Sequence, residues 1–155
     1  MRSSDGEPKV IYFRSGSAAS RTTPDIVDDI DFDGIKILHI TGIFSALAPN
    51  TYDTVTRLVD TAKRHGVTVL FDPNPRPTLW PSEEAMIDAT NKLAAKSDVF
   101  MPGLEESRLF SGKTGPRDIA EWYLDMGIGK VIIKLGDVGS VLFERPSDGD
   151  LSETV

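Results

Sequence analysis

"VTVLFDPNPRPTLW", residues 67–80, is the stretch from which the fold can be read. Val67, Val69, Leu70 and Phe71 form an apolar run of strand length, and it passes directly into Asp72-Pro73-Asn74-Pro75-Arg76-Pro77. A buried strand that ends on a polar loop suits an open parallel sheet, where ligands collect outside the carboxyl ends of the strands. Each proline fixes its own φ and biases the residue before it towards extended backbone, so Asp72, Asn74 and Arg76 are all restricted. The loop is therefore preorganised, able to present an amide and a guanidinium with little ordering cost on binding.

The segments on either side repeat one pattern. From Pro49, the apolar positions Tyr52, Val55, Val59 and Ala62 follow helical spacing, and Gly66 after Lys63-Arg64-His65 supplies the stop. Before it, "IKILHIT" (residues 35–41) reads as a buried strand, and Thr23-Pro24 opens a short helix with Thr23 as N-cap. Residues 10–14 read as a short strand followed by the small-residue loop "GSAAS". Beyond the quoted stretch, a helix starts at Ser82 with Met86, Ala89 and Leu93 on one face, and a strand covers residues 98–101. A short helix spans residues 105–110 and ends near Gly112. Pro116 opens another, with Ile119, either Trp122 or Tyr123, and Met126 inward. "KVIIKL" (residues 130–135) is a further strand, paired with "SVLFE" (residues 140–144) across the turn at 136–139. Strands alternating with helices predict right-handed βαβ units and an α/β layered fold, a mostly parallel sheet covered by helices on both faces.

Composition bounds the function. The chain has 155 residues, 39% of them hydrophobic and 26% charged, which fits one ordinary domain with a real core. A net charge of -7 argues against a nucleic-acid surface and against a polybasic membrane patch, since both need an excess of Lys and Arg. There is no cysteine, and His39 and His65 are too few to build a zinc cluster. The opening residues carry no apolar signal region, and no run approaches the about 18 apolar residues of a membrane span. The expectation is a soluble, untargeted, cytoplasmic chain.

Several patterns invite chemistry that their context rejects. Asp29, Asp31, Asp33 and Gly34 open like a calcium loop, but the twelfth position, which needs a bidentate Glu, is Ile40 inside a strand. "SGKT" (residues 111–114) ends like a phosphate-binding loop, yet the leading glycine would fall at Ser107, in a segment that reads as helix. His39 reads as a hydrogen-bonded core residue, and His65 as an exposed residue at a helix C-terminus. No G-x-S-x-G elbow is present, and Gly127-x-Gly129 precedes a strand where a dinucleotide fingerprint would follow one.

Three segments remain as ligand candidates. Arg76 can grip a carboxylate or phosphate through paired charge-assisted hydrogen bonds; a rigid loop with Arg76 bridged to a neighbour is an equally weighted reading. Lys134-Leu135-Gly136-Asp137-Val138-Gly139 ends a strand on two glycines that let backbone approach a ligand, although a glycine hairpin is also a common structural turn. Tyr12 and Arg14, two apart on one strand, point the same way and precede a flexible loop.

"YFRSGSAAS", "ILHITGI", "FDPNPRPTLW" and "KLGDVG", in this order and at these separations, resemble the middle portion of ribokinase-type (PfkB) carbohydrate kinases, and most closely 2-keto-3-deoxygluconate kinases. The resemblance covers nearly the whole chain. It implies a ribokinase-like, Rossmann-like fold, incomplete here, with residues 1–20 forming a disordered N-terminus and part of a small β-lid, and residues 21–155 part of the α/β core. It implies ATP-dependent phosphorylation of a sugar-acid hydroxyl, with Mg2+ bridging the phosphates. By that similarity Tyr12, Phe13, Arg14 and Ile43 contact the sugar acid, and Arg76 reaches both substrate and nucleotide. Asn74, Lys134, Gly136, Asp137 and Gly139 belong to the ATP side. Lid strands in this family often pack against a second subunit, which implies a homo-oligomer.

The family pattern also has departures. Relatives often carry Asn-x-x-Glu after the strand corresponding to residues 98–101, but here Gly103 stands at the Asn position and only Glu106 remains. A metal-linked role for Glu106 competes with that of an acidic first helical turn. The family's G-A-G-D segment, which carries the catalytic base, does not occur in this sequence, so no residue present is assigned that role. The expectation is the central part of a sugar kinase, inactive alone and prone to association through exposed sheet edges and uncovered apolar faces. The rival reading is a non-catalytic module that binds nucleotide or sugar acid.

Overall fold

The computed structural model describes residue 14 and residues 16–146 and 151–155. The strand read at residues 10–14, the end of the predicted lid, therefore lies outside the described residues except for Arg14.

Among the described residues, six strands form one sheet in the order β1 to β6: β1 (Ile37–Thr41), β2 (Thr68–Asp72), β3 (Val99–Phe100), β4 (Lys130–Lys134), β5 (Ser140–Glu144) and β6 (Ser152–Thr154). The first four are parallel, while β5 and β6 are antiparallel to their neighbours. Five α-helices accompany them: α1 (Gly42–Ser45), α2 (Pro49–Arg64), α3 (Glu83–Ala94), α4 (Leu104–Ser111) and α5 (Pro116–Asp125). Their ends follow the sequence signals. Ser82 Oγ accepts from the N–H of Ala85 at 3.2 Å, and Gly112 closes α4 with φ +69°. The helix begun at Pro24 is a 3-10 turn (Pro24–Asp29). Thr23 stands at its N-cap, but its hydroxyl bonds the Asp25 carboxylate and caps no N–H. The glycine turn before β5 is likewise a 3-10 turn (Gly136–Val138).

The sheet has two unlike faces. Ile40, Phe71, Phe100, Val131 and Phe143 lie in one row across five strands, all buried, with Val69, Ile133 and Val141 on the same face. They pack with Val55 and Val59 of α2, Met86 and Leu93 of α3, and Ile119 and Tyr123 of α5. Each such fully buried side chain stabilises by about 1.5–3 kcal/mol. The opposite face carries the exposed Ile37 and His39 with the half-buried Leu70, Val99, Ile132 and Leu142. Helices on both faces were expected; among the described residues they cover one. The reason is topological: when parallel strands follow in consecutive order, right-handed crossovers all return over the same face.

The same alternation corrects two side chains. His39, expected in the core, shares the open face with Leu70, one residue out of phase with buried Ile40. Met126, expected inward, is the C-cap of α5 and is 36% exposed. Of Trp122 and Tyr123, the fully buried one is Tyr123. Its hydroxyl donates to Asn91 Oδ1 at 3.1 Å, and Asn91 Nδ2 donates to the Phe110 carbonyl at 3.0 Å, tying α3, α4 and α5 together.

Burial pushes the Tyr123 phenol above its ordinary value of 10.0, because the charged form loses its hydration. The unfolded chain therefore releases this proton first, and above about pH 10 ionisation favours the unfolded state. Tyr123 thus contributes stability that is complete below about pH 10 and is lost as pH climbs towards the folded value. In Tyr123→Phe, thermal melts between pH 9 and 11.5 will show a shallower alkaline decline. At neutral pH the variant costs about 1 kcal/mol through the unpaired Asn91 carbonyl.

Candidate active site

The carboxyl ends of β1, β2, β3 and β4 open on one edge of the sheet, and most of the residues singled out from the sequence lie there. At the end of β1 the chain turns into α1, with the N–H of Ile43 donating to Thr41 Oγ1 at 3.5 Å. Gly42 permits this turn. A Cβ built there would overlap the carbonyl oxygen of Pro73 and stand 3.0 Å from its carbonyl carbon, so the β1 and β2 loops touch backbone to backbone. Ile43 is half-buried beside this contact.

The proline-framed loop is held from within. Arg76 Nη1 donates to Asn74 Oδ1 at 2.7 Å, the Pro75 carbonyl at 2.8 Å and the Asn74 carbonyl at 3.2 Å. Asn74 has φ +37°, the one non-glycine residue with positive φ among those described. Asparagine tolerates this region better than most residues, and the guanidinium fastens the strained loop. Neither sequence reading of Arg76 describes this state fully: among the described residues it makes no ion pair, and its partners there are carbonyls of its own loop.

Asp72, given no role from sequence, binds Lys134. The Lys134 Nζ lies 2.9 Å from Asp72 Oδ1 and 3.0 Å from Oδ2, linking the ends of β2 and β4 across β3. Both residues alternate with buried neighbours, Phe71 and Ile133, so both project from the face opposite the helices. That alternation was the signal available in the sequence; the pairing, 62 residues apart, was not.

Lys134 also borders an open cavity of about 550 Å³ with Gly103, Leu104, Glu105, Glu106, Leu135, Gly136 and Val138. The strands meet again here, since the Lys134 N–H donates to the Pro102 carbonyl at 2.9 Å and Gly103 bridges to Lys134. The turn beyond is exposed, with Gly136 at φ +69° and Gly139 at φ +118°, and nothing stands within 4 Å of a Cβ built on either. Asp137 is exposed in the same turn. A cation, bare glycine backbone and an open cavity form a donor set suited to phosphate oxygens.

Glu106 is engaged locally. Its Oε2 accepts from the N–H of Gly103 at 2.8 Å, capping the first turn of α4. Among the described residues no three His, Asp or Glu side chains converge on a metal-holding geometry. The described residues thus build no resident cage for Mg2+; the remaining oxygen of Glu106 could serve a cation that arrives with a polyphosphate.

Of the residues read from sequence, Glu106, Lys134 and Gly136 share one cavity, with Asp137 and Gly139 in the adjoining turn. Asn74 and Arg76 are joined to that group through Asp72, and Ile43 through Gly42 and Pro73. Tyr12 and Phe13 lie outside the described residues. Arg14 is half-buried near a segment anchored on α2, where Asn50 Nδ2 donates to the carbonyls of Thr22 at 2.7 Å and Ser20 at 3.2 Å.

The model of the pfkB family of carbohydrate kinases matches residues 1–154. The chain belongs to this family. A 2-dehydro-3-deoxygluconokinase of Bacillus subtilis is 38% identical over 147 residues, and one of Thermoproteus tenax is 32% identical over 142. The match covers 95% of this chain and 45% of the Bacillus enzyme, and 89% and 42% for the Thermoproteus one, so the chain spans about half the length of these curated relatives. The crystal structure of a PfkB protein from Polaromonas sp. JS666 superposes with a TM-score of 0.83 at 38% identity, covering 96% of this chain and 49% of that one. The part of the fold that this chain spans is ribokinase-like, as expected. No helix among the described residues is long and apolar enough to cross a membrane.

Proposed function

We propose that this chain carries the central part of an ATP-dependent sugar-acid kinase whose substrate is 2-keto-3-deoxygluconate. The observation that supports this most is the gathering of Lys134, Gly136 and the Asp72-to-Arg76 loop at one sheet edge in a pfkB-family chain. The choice of a sugar acid over a neutral sugar is supported by the 38% identity to the Bacillus subtilis 2-dehydro-3-deoxygluconokinase and by the arginines Arg14 and Arg76.

In this reading Lys134 and the N–H groups of the Gly136-to-Gly139 turn hold the nucleotide phosphates, with Asn74 and Asp137 on the same side. Arg76 leaves its loop carbonyls to bind the transferring phosphoryl group or the substrate carboxylate, and Tyr12, Phe13, Arg14 and Ile43 hold the sugar acid. Mg2+ bound with ATP would supply charge neutralisation on the phosphates, and Glu106, which borders the cavity, would be the carboxylate that helps to hold it. Such a layout suits phosphoryl transfer, in which positioning and charge stabilisation supply most of the catalysis. No residue of this chain is assigned as the proton acceptor.

Calorimetric titration with 2-keto-3-deoxygluconate, gluconate and fructose tests the substrate class. The expected order of affinity is the keto-deoxy acid first and fructose last, and Arg76→Met removes the preference for acids. Equal binding of fructose and the keto-deoxy acid would contradict the assignment.

A further inference from the structure

We propose that Asp72 is a positioning residue that holds Lys134 ready for the nucleotide phosphates. This rests on the nucleotide reading above and adds a residue to it. The geometry is specific. Asp72 follows Phe71, which pairs with Phe100, while Lys134 stands level with Gly103, three residues further along. The pair therefore reaches diagonally over the end of β3, which has only two residues, into the mouth of the cavity that Lys134 borders.

A lysine ammonium has three N–H donors on a flexible stem. Here both Asp72 oxygens lie within 3.0 Å of Nζ, which fixes its place and leaves donor capacity directed away from the carboxylate. Asp72 is itself fixed, because it ends β2 in register with Thr41 and is followed by buried Pro73, whose carbonyl lies against Gly42. Without the carboxylate, Lys134 has to be ordered by the ligand, and that ordering weakens binding. The other described side chains lining the cavity include no cation, so no neighbour substitutes for it.

The test is a double-mutant cycle on the full chain, with Mg·ATP affinity read by calorimetry and folding by thermal melting. Asp72→Asn is expected to weaken Mg·ATP by about fivefold to tenfold with its cooperative melt retained. In a Lys134→Met background, Asp72→Asn is expected to have no further effect, because Asp72 acts through Lys134. Unchanged or tighter binding by Asp72→Asn overturns the proposal, as does an effect that adds fully to that of Lys134→Met. Loss of the melting transition in Asp72→Asn also overturns it, by showing the pair to be structural. If the wild-type chain binds no Mg·ATP at all, the nucleotide reading fails first and the role of Asp72 falls with it, an outcome distinct from the others.

Discussion

Gly42→Ala is expected to destabilise the chain by about 3 kcal/mol or more, the largest effect of any single methyl added to this sheet edge. The added Cβ falls on the Pro73 carbonyl, and neither partner can yield cheaply. Gly42 is fixed as the first residue of α1 directly after β1, and the Ser45 hydroxyl donates to its carbonyl at 2.9 Å. Pro73 is buried, with its φ locked by the ring, and follows the last residue of β2. The conflict is between two backbones, so no rotamer change relieves it. Urea unfolding of the variant will show a lower midpoint with an unchanged slope, and a thermal midpoint lower by roughly 6–12 °C. Because the β1 and β2 loops must part, the variant will also lose the placement of Ile43 and Asn74. A Gly42→Ala chain as stable as wild type would show that the two loops do not touch in solution.

Lys134→Met carries the second large effect, on binding. Among the described residues bordering the cavity of about 550 Å³, Lys134 is the only Lys or Arg. A charge-assisted hydrogen bond to phosphate contributes about 1.5–3 kcal/mol, so Mg·ATP affinity will fall by about tenfold to a hundredfold. The fold is expected to survive. The Lys134 side chain is 43% exposed, Met keeps the length of the stem, and the released Asp72 carboxylate is 27% exposed and can be hydrated. Calorimetry alongside a melting curve separates the two effects. A stable Lys134→Met chain that binds Mg·ATP as tightly as wild type would remove Lys134 from the site.

Residues 67–80 show how far the sequence reaches. The apolar run from Val67 to Phe71 located β2, Asp72 marked its polar end, and proline geometry located a restrained loop. These are local properties, fixed by steric rules acting over a few residues. Which face of the strand the helices cover is not local. His39 was misplaced because an apolar run looks the same whether one face or both are covered, and consecutive strand order leaves one face open. Met126 was misplaced because helical spacing continued to the point where α5 ends, and a C-cap side chain need not follow the inward stripe.

The site was legible as three separate segments and illegible as a connected unit. The segments holding Asn74, Arg76, Lys134 and Gly136 were singled out from residue type and position at strand ends, while their ligand roles and the Gly103-to-Glu106 turn came from family pattern. Their connection runs through Asp72 to Lys134 and through Gly42 to Pro73, contacts between segments whose separation in sequence carries no signal. The positive φ of Asn74 was hidden too, since the expectation before proline is extended backbone, and three hydrogen bonds from Arg76 compensate for it.

The carboxyl edge of β2, β3 and β4 is expected to receive a nucleotide. Amide chemical-shift mapping by NMR on addition of Mg·ATP tests it most directly. The expected result is a saturable set of shifts confined to Asp72, Asn74 and Arg76, to Gly103 and Glu106, and to the Lys134-to-Gly139 turn. A folded chain that shows no shifts would contradict the claim. Shifts gathered instead around the apolar cavity of about 440 Å³ between Tyr52 and Trp80, on the helical side, would contradict it as well.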